Sequence, residues 1–199
     1  MTLGFTVDAL VGAARGGGAL RMGLSRVAES DWLFPHVDRA ARAAALAEPG
    51  AVIVRPEAVA AGEEVARMLG VAGGLGEAAG ATHEDLCLLQ PAGEAHVLTA
   101  GALGWPTDWR LSDKIGLPLT AVHAPIHGYA EQLAAGVDHF LRELKAGPVF
   151  GRANWFVVAS DATRYLPDDD PATRFVHVTA DNAGDTLFVR CERQTLRRL

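Results

Sequence analysis

Cysteine is scarce in this chain: Cys87 and Cys191 are the only two in 199 residues, and no CxxC spacing exists. That argues against a disulfide framework and against a four-cysteine iron–sulfur site, and a reduced, cytoplasmic chain is the expectation. Long apolar runs are missing too, and none approaches the length that spans a bilayer. The N-terminus has no basic stretch followed by an apolar core, so no signal peptide is expected. An excess of positive charge is also lacking. With 18 Lys and Arg against 24 Asp and Glu the formal charge is −6, which disfavours nonspecific nucleic-acid binding. The Gly-rich stretch GVAGGLGEAAGA (70–81) lacks the Lys-Ser/Thr of a phosphate loop, and no dinucleotide fingerprint is present.

An ordinary globular composition remains, 49% apolar, enough for one domain with an N-terminal helical extension. Helical segments are expected at Thr6–Ala14, at Arg39–Leu46 capped by Asp38, and from Pro56 to about Leu69. Residues 71–81 read as a Gly/Ala-rich connector. From Glu84 onward the pattern turns to strands: Leu86–Leu89 and His96–Ala102 as a hairpin, then Asn154–Ser160, Arg174–Thr179 and Thr186–Arg193. ADNAGD is expected to join the last two as a second hairpin. The helix expected over Tyr129–Lys145 has Tyr129, Leu133, Val137, Phe140, Leu141 and Leu144 on one face at helical spacing. About five antiparallel strands with a crossing helix make an α+β domain over 82–199, after an extension at 1–70 and the connector at 71–81.

Chemistry in this chain falls to histidines and arginines. His123 and His127 have the HxxxH spacing of a helical zinc pair. Pro125 lies between them, and Pro inside a helix breaks the hydrogen-bond ladder, so a helical zinc site is not expected. A loop histidine beside proline can project one imidazole into a pocket; the bland alternative is a hydrogen-bonded loop residue. Arg152, Asn154 and Trp155 form a second constellation at the entrance of a strand. Arg190 and Arg193 emerge from the alternating strand LFVRCERQ, where Phe188, Arg190, Glu192 and Gln194 share one face. Such arginines need anionic partners, either a ligand or an internal network with Glu192 or Asp85. Asp168–Asp170 reads as a solvated loop, and both cysteines as small buried hydrophobes.

Four ordered segments, THEDLCLL (82–89), WPTDWRLSDKIGLPLTAVHAPIHGY (105–129), GRANWFV (151–157) and VRCERQTLRRL (189–199), resemble the haem-dependent oxidative N-demethylase family. RMGLSRVAESDWL (21–33) is similar to that family's entry segment. This chain has Pro125-Ile126-His127 where the family tends to read Pro-Val-Pro, and it stops at Leu199 where the family continues with another strand and helix. The resemblance implies a PAS-like sheet holding haem b, with His123 as axial ligand to the iron and His127 or the Cys191 thiolate as weaker alternatives. It also implies Arg152, and Arg190 or Arg193, as partners of the propionates or of a substrate channel beside Trp155. The implied activity is oxidation of the N-methyl group of a small alkylamine by O₂, releasing formaldehyde. Electrons would come from a separate flavin and iron–sulfur reductase that uses NAD(P)H. The alternative is a non-catalytic haem sensor, or a subunit whose sheet a partner strand completes in an oligomer or heteromeric complex.

Overall fold

Residues 21–166 and 174–199 are described by a computed structural model; the expected Thr6–Ala14 helix and the Asp168–Asp170 loop lie outside them. In chain order the elements are β1 (Ser25–Val27), α1 (Arg39–Leu46), β2 (Val52–Val54), α2 (Val59–Met68), α3 (Leu75–Ala81), β3 (Leu86–Ala92), β4 (Ala95–Ala102), the short helices α4 (Leu111–Lys114) and α5 (Leu119–Val122), α6 (Ala135–Glu143), β5 (Val149–Val158), α7 (Ala183–Thr186) and β6 (Phe188–Arg197). The class is α+β. Among the described residues no helix is long and apolar enough to cross a membrane.

Local chemistry accounts for the helices. The Asp38 carboxylate accepts the Ala41 N–H at 2.9 Å and caps α1. Pro56 opens a 3-10 turn that leads into α2, where a missing donor costs nothing. The stretch read as a connector is instead α3, with Leu75, Ala78 and Ala79 buried. Glu77 accepts the Gly74 N–H at its start, 2.8 Å away. A Cβ on Gly62 of α2 would stand 3.2 Å from the Leu75 Cβ. The small residues that resemble linker composition are what let two helices touch.

The strands form two antiparallel sheets of three, in the orders β1–β5–β6 and β2–β4–β3, not the single sheet of about five expected. The β3–β4 hairpin stands as read and turns at Gly93, whose φ is 65°. The second expected hairpin does not form. β6 pairs instead with β5 over ten residues, from Val149↔Arg197 to Val158↔Phe188, and residues 174–177 make turns. Asn182 supplies the reason. Its Oδ1 accepts the Thr179 N–H at 2.7 Å and its Nδ2 donates to the His177 carbonyl at 3.0 Å, so a side chain takes the backbone groups a ladder would use. The expected 129–145 helix begins as a π turn over Ala130–Ala134 and is α-helical from Ala135 to Glu143.

Two apolar clusters hold the second sheet. Ala58, Leu75, Ala79, Ala100 and Ala102 join α3 to β4, and Leu98, Leu103 and Leu111 gather Ile53, Leu89, Trp109, Ile115 and Val122. Gly101 makes the second contact possible, since a Cβ there would stand 2.7 Å from Leu111 Cδ1. That packing fixes α4 and the start of the loop toward His123.

The N-terminal segment is fastened by polar groups. Arg42 is fully buried. It donates to Asp85 Oδ1 at 2.6 Å, to the Glu84 carbonyl at 2.6 Å and to the Ala79 carbonyl at 2.9 Å. Asp85 also accepts the N–H groups of Gly104 (2.8 Å) and Trp105 (3.0 Å). His36 and His83 stack beside them and Trp105 lies tilted against both, with ring centroids 4.9–5.7 Å apart, and the Arg42 guanidinium lies 4.9 Å over the Trp105 ring.

Candidate functional site

The stretch between α5 and α6 is bounded by Pro118, which precedes α5, and Gly128, whose φ is 77°. His123 ends α5, donating its backbone N–H to the Leu119 carbonyl at 3.0 Å. Its ring Nδ1 lies 2.9 Å from the same carbonyl oxygen. A carbonyl only accepts, so Nδ1 carries the proton and Nε2 keeps its lone pair. Tyr129 stacks on this imidazole with centroids 4.5 Å apart and planes 18° from parallel, and is itself buried. Burial pushes the His123 pKa down; the Leu119 carbonyl opposes this, and the charges of Arg152 and Lys114 add to it. The ring is thus neutral at neutral pH, the form that binds a metal.

Arg152 reaches the same region from β5. Its Nε donates to Gln194 Oε1 at 2.6 Å and one terminal nitrogen to the Met22 carbonyl at 3.3 Å. With the Asn154 amide turned to match its neighbours, its oxygen accepts from the other terminal nitrogen at 3.2 Å. All three acceptors are neutral. Burial lowers the Arg152 pKa, against the opposing pull of Glu192 and the Tyr129 phenol. A partly desolvated cation held by neutral oxygens retains its capacity for an anion.

The other expected residues stand apart from this pair. His127 is exposed. Trp155 alternates to the opposite face of β5 from Arg152, where it is registered against Cys191. Arg190 spends its guanidinium on the carbonyls of Ala162, Thr163 and Trp105, and burial lowers its pKa. Arg193 forms an ion pair with Glu84 at 3.0 Å and lies 4.6 Å over the Phe34 ring. It therefore belongs to the fastening of the N-terminal segment. The internal network foreseen for the arginines exists, but it runs Arg42–Asp85 and Arg193–Glu84. Both cysteines have solvent-exposed surface, where small buried hydrophobes were expected, although desolvation still pushes the Cys87 thiol up to about 12. Among the described residues no three His, Cys, Asp or Glu side chains are grouped to hold a metal ion.

Tyr129 and Gln194 escaped notice as site residues. Tyr129 read as part of an inner helix face, and its stacking depends on the reversal at Gly128. The shared parity of Arg190, Glu192 and Gln194 was visible, but the β5 register that sets Arg152 opposite Gln194 was not. A comparison with curated proteins finds no match. Residues 74–199, from the start of α3 through β6 and including His123, Tyr129 and Arg152, match the family described as haem-dependent oxidative N-demethylase, alpha subunit-like, and the chain belongs to that family.

Proposed function

We propose that this chain is the haem-binding subunit of an oxidative N-demethylase acting on a small alkylamine. The observation that carries the reading is the His123 imidazole, with Nδ1–H tied to the Leu119 carbonyl at 2.9 Å and Nε2 unprotonated. A carbonyl on the far ring nitrogen sets tautomer and ring orientation, and His123 would hold the haem iron through Nε2. Arg152 supplies the second requirement, a cation without a direct carboxylate bond that is suited to a propionate. The residues present fit the group. When bound, haem supplies the oxidative chemistry: O₂ activation and oxidation of the N-methyl carbon, ending in formaldehyde and the demethylated amine.

The chain's own contribution is binding and orientation. His123 would hold the cofactor, Arg152 would neutralise its charge, and Gln194 and Asn154 keep Arg152 from turning away. In this reading residues 82–199 act as a PAS-like haem-binding part, and residues 1–70 are an extension that contributes β1 and β2 to the two sheets. Electrons arrive from a separate flavin and iron–sulfur reductase using NAD(P)H, in the cytoplasm. The family description, alpha subunit-like, supports assembly with other chains.

A second reading is a non-catalytic haem sensor or a partner-completed subunit. It draws on β6, which pairs only with β5 among the described residues and so presents an edge to another strand. The test is spectroscopic. Reconstituted wild-type protein shows a Soret band that His123→Ala removes, while His127→Ala, on an exposed residue, leaves it in place. An unchanged spectrum in His123→Ala refutes the assignment. Formaldehyde released in step with electrons consumed separates the enzyme from the sensor.

A further inference from the structure

We propose that Tyr129 is a positioning residue for the His123 imidazole and that it acts through ring stacking, not through its hydroxyl. The proposal rests on the haem-ligand reading above. An imidazole attached to a metal through Nε2 can rotate about that bond, and its plane stays undefined unless the protein fixes it. The attachment at Cβ and the hydrogen bond from Nδ1 to the Leu119 carbonyl hold one edge of the ring. Tilting of its plane about that edge remains open. The phenol ring closes it: at 4.5 Å and 18° the two planes lie nearly parallel along their whole width.

Tyr129 can serve as a reference plane because it is fixed itself. It is 5% exposed, its N–H donates to the Ile126 carbonyl at 3.1 Å, and it leads directly into the π turn Ala130–Ala134. Gly128, at φ 77°, folds the chain back so that residue 129 returns over residue 123. A side chain other than glycine is strained at that φ. The stack engages the face of the Tyr129 ring, so flatness and size are what the ring offers.

The experiment compares Tyr129→Phe, Tyr129→Leu and Tyr129→Met, the last keeping length without a flat ring. Imidazole NMR on the haem-free protein reads the His123 ring directly. After reconstitution with haem, the dissociation rate and the iron–imidazole stretching band of the reduced protein are recorded. Tyr129→Phe keeps wild-type values in all three. Tyr129→Leu and Tyr129→Met displace the His123 resonances, broaden or shift the stretching band and raise the haem dissociation rate roughly three- to tenfold, the range stacked rings account for. Wild-type resonances and band in the Leu and Met variants overturn the proposal, and the haem-free spectra decide this even if reconstitution is poor. A defect in Tyr129→Phe as large as in Tyr129→Leu overturns it in favour of the hydroxyl. An intact Soret band in His123→Ala defeats the ligand reading itself, whatever the Tyr129 variants show.

Discussion

Replacing Asp85 by alanine strands the most deeply buried cation described in this protein. Arg42 is 0% exposed, and Asp85 is the one carboxylate on its guanidinium, at 2.6 Å. The same carboxylate holds the N–H groups of Gly104 and Trp105, so three donors lose their acceptor together. Breaking a buried ion pair by removing one partner costs about 3–5 kcal/mol. The Asp85 side chain is 22% exposed, so water reaches part of the vacated space, and the lower end, about 3 kcal/mol, is the expected loss. Against a typical domain stability of about 5–15 kcal/mol that is a large fraction. Equilibrium urea unfolding followed by tryptophan fluorescence reads it as a fall in midpoint of about 1–2 M. Glu64→Ala serves as the control, because its partner Arg67 is largely exposed, and it leaves the midpoint where it was. Adding Arg42→Met to Asp85→Ala removes the orphaned charge and recovers part of the loss. If Asp85→Ala moves the midpoint no further than Glu64→Ala, the buried network does not hold the N-terminal segment and the reasoning is wrong.

Stability also depends on pH through His83, whose pKa is lowered, chiefly by burial, with Glu84 opposing and His36 and Arg42 adding. The neutral ring's contribution is complete above the unfolded value of about 6.5 and is lost as pH falls from there through the folded pKa. Urea midpoints taken between pH 8 and pH 5 decline over that window, and His83→Gln flattens the decline; an equal slope in the variant removes His83 from the account. Arg152→Ala raises the haem dissociation rate more than Arg198→Ala. A hydrogen bond to a charged group is worth about 1.5–3 kcal/mol, and among the described residues Arg152 makes three such bonds where Arg198 makes one, to the Leu144 carbonyl. Equal rates would place Arg152 in a purely structural role.

What could be read from the chain were features whose causes are local. Asp38 before an Ala-rich run, Pro56 at a helix start, the Gly93 turn and the Pro118–Gly128 brackets around His123 all act within a few residues. Features that depend on distant partners were out of reach. Arg42 sits in RAARAAAL, where an arginine reads as a solvated side chain, and only the approach of Asp85 and Ala79 buries it. Leu75–Ala81 has the composition of a linker, and its helix is secured by packing on Gly62. The exchange of strand partners misled most: Val176 and Val178 alternate like a strand, yet β6 found β5, and that pairing sets Arg152 beside Gln194. His123 was therefore legible as a candidate, and its neighbours Tyr129 and Gln194 were not.

The pairing of β1 with β5 has a consequence for the order in which the protein is made. Ser25 bonds to Gly151 across 126 positions of sequence, whereas Arg42 and Asp85 are 43 apart. During synthesis the strands of the second sheet are all present once β4 has emerged, and the helices packed on it once α5 has followed. The first sheet must wait for β6, the last strand described, and non-local pairings are slow to close in any case. Until then Trp155–Val158 waits as an apolar run with no neighbour, the kind of segment that invites aggregation. His123 therefore can meet its Leu119 carbonyl from a few residues away, whereas Arg152 gains its Gln194 partner only once β6 has been made.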